Sequence, residues 1–157
     1  MIQSYVNDVL ISIFESTTVD DGKGNKVSLF TKKDKKYIDI KYEFEDFQRP
    51  TSGVWYALHF LPAQPTVKEL GQDGMNNWTG IFQIDVCVLK SIRTKTPKYG
   101  VKDYFDSAYA AIAEVMKRGV YKDRVHITGI GNSSAIDNGD FYSMPISVTW
   151  YCNLKNK

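Results

Sequence analysis

The sequence predicts an α+β fold: a mostly antiparallel sheet of four to six strands with two helices packed on one face. Three observations lead there. Residues 2–15 and 101–119 repeat apolar side chains at helical spacing. Several short runs alternate apolar and polar side chains, the period of a strand with one wet face. The strand runs are grouped, with the helical stretches at their flanks.

Taken in order, Ile2, Tyr5, Val6, Val9, Leu10 and Ile13 make the first amphipathic helix. "TTVDDGKGNK" follows, two glycines among polar residues, a loop or tight hairpin. "VSLFTKKDKK" is short and basic, a brief strand or a mobile segment, so residues 20–37 read as an inserted loop or hairpin. "KYIDIKYEFEDF" alternates, with Ile38, Ile40, Tyr42 and Phe44 on one side and Asp39, Lys41, Glu43 and Glu45 on the other. It is expected as a strand near a sheet edge, where charges discourage unwanted pairing. "QRPTSG" is a turn and "VWYALHFL" a strand apolar on both faces, ended by Pro62. Residues 62–77 read as a long loop between strands, and most hairpin loops are only about 2–5 residues. Residues 77–90 form the next strand, and "TKTPKYG" turns the chain. Val101, Tyr104, Phe105, Ala108, Ile112, Val115 and Met116 stripe the second helix, with Gly119 as its stop. "DRVHITGI" is a strand, "GNSSAIDNGD" a polar loop, and "FYSMPISVTWYC" the last strand, with Met144, Ile146, Val148, Trp150 and Cys152 on one side. Pro145 predicts an irregular start or an edge position for it. The end, 153–157, is polar and expected to fray.

At 157 residues a single domain, 1–157, is expected. Such a chain buries roughly 70% of its unfolded surface, so its core needs no metal or disulfide. The net charge of +2, from 20 basic and 18 acidic residues, is not the footprint of a nucleic-acid binder. Ten tyrosines fit either strand-rich packing or interfaces. Cys87 and Cys152 have no neighbour at metal-ligand spacing and read as free buried thiols, which fits cytoplasmic synthesis. The N-terminal stretch lacks a basic region and a cleavage site and carries Asn7 and Asp8, so neither a signal peptide nor a membrane span is expected. On that ground the sequons at Asn77 and Asn132 are chance matches.

The strand at 77–90 raises the functional question. One face carries Phe82, Ile84, Val86 and Val88, the other Ile81, Gln83, Asp85, Cys87 and Leu89. The second face is too apolar for water and too polar for a closed core. Two helices, each about 10 Å across, can cover about four strands spaced 4.8 Å apart, on one face only. Trp55, Leu61, Ile81, Cys87 and Leu89 then need a cover, either a folded-over second sheet or another subunit.

Chemistry offers little. His59 and His126 are the two histidines, and with Asp85 they could form acid–base machinery. No serine or cysteine stands beside them in a nucleophile context, so hydrogen-bonded sheet histidines are the expected state. "GIGNSS" lacks a third glycine and a following helix, as "DGKGNK" lacks P-loop spacing, and both read as turns. "KKDKK" is a solvated charge run, the alternative being contact with an acidic partner or passing DNA. Val67, Leu70 and Met75 in the 62–77 loop either fold back on the core or dock onto a partner.

The segment "WYALHFLPAQPTVKELGQDGMNNWTGIFQIDVCVLK" resembles the tail terminator, or tail completion, proteins of long-tailed bacteriophages. The matching features are a strand ending in "FLPA", a loop with "LG", a "GIFQIDV" strand, the helix at 100–119, then "VHI" and "PISVTWYC" strands. The stretch "DGKGNKVSLFTKKDKK", residues 21–36, departs from that pattern by its length. The resemblance implies a protein without catalytic residues or cofactors. It implies a ring, a hexamer in such proteins, that caps the tail tube, ends its polymerisation and offers a platform for head joining. The implied partners are sister subunits, the tube protein, connector or neck proteins and the tape measure protein, with no membrane and no sequence-specific nucleic acid. The implied location is the virion tail, after assembly in the host cytoplasm. Ile81, Gln83, Asp85, Leu89 and Trp55 are the expected subunit interface, and Val67, Leu70, Met75 and Trp78 the expected tube contact. The rivals are a neck or head–tail joining protein of similar fold, and a small enzyme using His59, His126 and Asp85.

Overall fold

The computed structural model describes residues 2–20, 22–61, 64–67, 75–91, 100–121 and 124–155. Helix α1 (Ile2–Glu15) buries Val6, Val9, Leu10 and Phe14. It ends where the hydroxyls of Ser16 and Thr17 donate to the carbonyls of Ile13 and Phe14 at 2.5 and 2.6 Å, taking acceptors the helix can no longer use. Two hairpins follow, β1 (Thr18–Asp20) with β2 (Lys26–Ser28), and β3 (Lys32–Lys33) with β4 (Lys36–Tyr37). Asp34 and Lys35 turn the second, with φ of 54° and 67°, the two-residue turn whose twist matches its strands. The basic stretch is therefore paired backbone.

The main sheet is built from β5 (Ile40–Lys41), β6 (Val54–Phe60), β7 (Gln64–Val67) and β8 (Met75–Leu89), followed by helix α2 (Gly100–Val115). Then come β9 (Gly119–Tyr121), β10 (Val125–Asn132), β11 (Ile136–Asp137) and β12 (Phe141–Lys155). Six strands stand abreast in the order β5-β6-β8-β12-β10-β9, with β7 further along β8 and β11 further along β12. Every pairing is antiparallel except β5 with β6. The spine is β8 against β12, paired from Met75↔Lys155 to Leu89↔Phe141, about 50 Å long at strand rise.

Alternation decides which residues enter the core. Phe82, Ile84, Val86 and Val88 share a face with Tyr56 and Leu58 of β6 and with Met144, Ile146, Val148, Trp150 and Cys152 of β12. Onto it pack α1 and the Phe105, Ala108, Ile112 and Met116 stripe of α2, giving one buried cluster. The Tyr56 and Tyr104 hydroxyls meet at 2.7 Å and tie β6 to α2. Gly80 lies opposite Trp150, and a Cβ there would sit 2.7 Å from Cζ2 of the buried indole. Gly80→Ala is expected to cost about 1–3 kcal/mol, the penalty of overpacking a rigid site, read as a lower denaturation midpoint with an unchanged slope.

Four sequence expectations are corrected. The run at 36–47 is not one strand: Lys36–Tyr37 pairs in the second hairpin, only Ile40–Lys41 joins the main sheet, and Phe44 is fully exposed. Side-chain carboxylates take the place of a ladder there. Asp39 accepts the Thr31 N–H at 3.0 and 3.1 Å, and Glu43 accepts the Phe60 N–H. Burial holds the Asp39 carboxyl above its usual range, against the lowering effect of the Thr31 bond. The supposed loop at 62–77 contains β7 and the start of β8, so β6 and β7 run along one long β8 with a one-residue register shift between Phe60↔Phe82 and Gln64↔Thr79. Pro145 sits in a central strand. Its carbonyl accepts the Ser133 N–H at 2.9 Å, so its donorless nitrogen faces the gap where β10 ends at Asn132 and β11 begins at Ile136. Gly119 opens β9; α2 stops earlier, at Val115, and the Tyr121 hydroxyl donates to the carbonyls of Val115 and of Lys117 just beyond it.

Candidate functional site

The site is the sheet face turned away from the helices. Its two halves differ. At one end Trp55 packs on Phe141 with ring centroids 5.1 Å apart. The Arg49 guanidinium lies over both rings, at 4.8 and 4.9 Å, and pairs with Asp140 at 2.6 Å. The chain between β5 and β6 thus folds over this end, and Trp55 is only 4% exposed, with Ala57, Cys87 and Ser143 buried beside it. Arg49→Ala is expected to cost about 1 kcal/mol from the lost stacking and to shift tryptophan emission to the red as Trp55 meets water.

At the other end no segment folds over the sheet among the described residues. Leu61 is 43% exposed, Ile81 and Tyr151 are half-buried, and Thr128 and Thr149 are exposed. Between them runs a shallow groove of about 470 Å³, floored by the strands at Gly80 and Trp150. Thr128 and Thr149 bond each other at 2.9 Å across β10 and β12 and leave their methyls on the surface. A larger cleft of about 1060 Å³ lies elsewhere, and its lining mixes Lys32, Lys33, Lys35 and Lys36 with Glu45 and Asp46.

Between the halves stands a polar cluster. Nε2 of His59 lies 3.1 Å from one Asp85 oxygen, and the Gln83 amide donates to the other at 2.9 Å. The structure thus brings His59 and Asp85 together across β6 and β8. His126 is elsewhere, stacked on Tyr151 at 4.3 Å on β10, with β8 and β12 between it and His59. The imagined three-residue constellation is therefore not assembled. Burial, with Asp85 adding to it, pushes the Cys87 thiol up to about 12, far from a thiolate at neutral pH. The cluster can make directional hydrogen bonds.

Of the expected interface residues, Ile81, Gln83, Asp85 and Leu89 are half-buried on this face, whereas the Trp55 indole is occupied by its own chain's Arg49. Of the expected tube contacts, Leu70 lies outside the described residues. Val67 and Met75 are placed by backbone alone, opposite Asn76 and Lys155. Trp78 is on the helix side, partly buried against the core.

Two features escaped the sequence reading. Arg49, six residues before Trp55, is held over it by the distant Phe141 and Asp140, contacts no local pattern encodes. Phe44 has a φ of 62°, in a turn where the Glu45 N–H reaches the Tyr42 carbonyl at 3.5 Å. Glycine is usual at such a position, and a bulky side chain there costs about 1–2 kcal/mol.

Residues 28–150 match the family of phage tail terminator proteins. A solved structure superposes with a TM-score of 0.53 at 17% identity, over 96% of this chain and 98% of its own, a likeness of fold alone. No curated protein matches the chain. The family match runs from the end of β2 to Trp150 in β12 and takes in most of the open face; the chain belongs to the phage tail terminator family, structural proteins of the phage tail.

Proposed function

We propose that this protein closes into a ring, a hexamer, on the last layer of the tail tube, ends tube polymerisation and offers the surface on which the head is joined. The observation that carries this reading is the uncovered half of the sheet around Leu61 and Ile81. One face has more apolar sheet than the described residues of its own chain shelter, beside hydrogen-bonding groups at Gln83, Asp85 and His59. That mixture, apolar centre with directional polar groups, suits a subunit interface. A head-to-tail contact closes into a ring when its rotation divides a full turn.

Termination requires that the two ring faces differ. The β6–β7–β8 arm supplies an asymmetric element, because β8 runs past β6 toward the 68–74 connection. We assign that tip, with Leu70, to the tube, and the opposite ring face to connector or neck proteins. The tape measure protein, at the tube's centre, is a further partner, and assembly takes place in the host cytoplasm. The direct test adds purified protein to polymerising tube protein and follows tube length by electron microscopy. Growth should stop and rings should sit on tube ends; tubes of unchanged length without end rings would refute the proposal.

A further inference from the structure

We propose that Phe44 of one subunit seats in the groove between Leu61 and Thr128 of the next, and that this contact is the head-to-tail joint of the ring; the inference rests on the ring reading above. Phe44 is fully exposed and held in the left-handed region of the backbone. Neither property serves the isolated fold, since glycine would make the same turn without strain and without an aromatic in water. Strained residues of this kind gather at functional sites. The position is also anchored, because the neighbouring Glu43 carboxylate accepts the Phe60 N–H at the outer edge of β6.

The complementary half is on the same chain. The groove is apolar along Leu61, Ile81 and Tyr151, and among the described residues no side chain of its own subunit fills it. Its volume of about 470 Å³ is ample for a benzyl group. Beside the knob, exposed Glu45 and Asp46 share a cleft with Lys32, Lys33, Lys35 and Lys36, and exposed Arg124 stands one residue before the Val125↔Cys152 pair, near Tyr151, where the acidic pair can meet it at the rim of the joint. A knob at one place and a groove at another make a heterologous joint, in which every copy uses both.

The test places Phe44→Cys and Thr149→Cys in one chain, mixes it with tail tubes and applies a short bismaleimide. Cys87 and Cys152 are buried and stay out of the reaction. A ladder of linked subunits up to ring size is expected, and a mixture of the two single variants should stop at dimers. Linkage of Phe44→Cys to tube or connector protein instead, or no linkage while the subunits sit in rings on tube ends, would overturn the inference and leave the ring reading standing. If the wild-type protein forms no ring on tubes, the ring reading fails and the joint with it. Because linkage reports proximity alone, Phe44→Gly supplies a second measurement. Its melting temperature should match or exceed wild type while ring formation needs at least tenfold more subunit; capping at wild-type concentration would contradict the joint.

Discussion

Replacing residues 68–75 by a two-residue Asn-Gly turn is expected to yield a folded subunit that no longer ends tail tubes. Val67 and Asn76 are register partners, so a two-residue turn between them closes the β7–β8 hairpin in the twist the strands already have. The core lies at the other end of β8, from Phe82 to Val88, and is untouched by the change. Stability should therefore move by no more than about 1 kcal/mol. The tube-facing tip would be gone, and tubes assembled with the shortened protein should overgrow by several-fold. Tubes of normal length would remove the tip from the termination mechanism, and a subunit that failed to fold would show that the connection is part of the fold.

The second large effect is expected at Asp85. Lysine there breaks the contacts to His59 and Gln83 and sets an ammonium group in the middle of the open face. The folded subunit should lose about 1 kcal/mol through the unpaired amide and imidazole. Assembly should suffer more, because a neighbour would have to dehydrate a charge with no partner; a loss beyond tenfold corresponds to about 1.4 kcal/mol or more. Asp85→Asn is the control, since its amide oxygen can still accept from Gln83, and it should assemble nearly as wild type does. Mass in solution and on tubes separates the two variants. A lysine variant that assembles normally would move the interface off this part of the sheet.

Most of the fold was legible where one side of an element is wholly apolar. The Phe82–Val88 alternation, the Met144–Cys152 alternation and the Phe105–Met116 stripe each determine a face by period alone, and all three meet in the core. The failures have one physical origin, which is that hydrogen-bond partners far apart in sequence leave no periodic trace. Residues 38–44 alternate as a strand should, yet Asp39 and Glu43 spend their carboxylates on backbone donors of other segments. Gln64–Val67 carries a proline and no alternation, yet its position on β8 makes it a strand. The open face was legible only in part. Ile81, Gln83 and Asp85 stood out as a face that was neither wet nor dry, whereas the shelter over Trp55 comes from Arg49 and Phe141, and the exposure of Phe44 from a turn that its sequence disfavours.

In the proposed ring a sister subunit covers the sheet around Leu61 and Tyr151. Hydroxyl-radical footprinting of free protein and of protein bound to tail-tube ends measures that cover residue by residue. Oxidation of Leu61 and Tyr151 should fall several-fold on the tube ends, while Val120, exposed on the edge strand β9, serves as the reference for solvent access. Equal oxidation of Leu61 and Tyr151 in the free and tube-bound states would contradict the account.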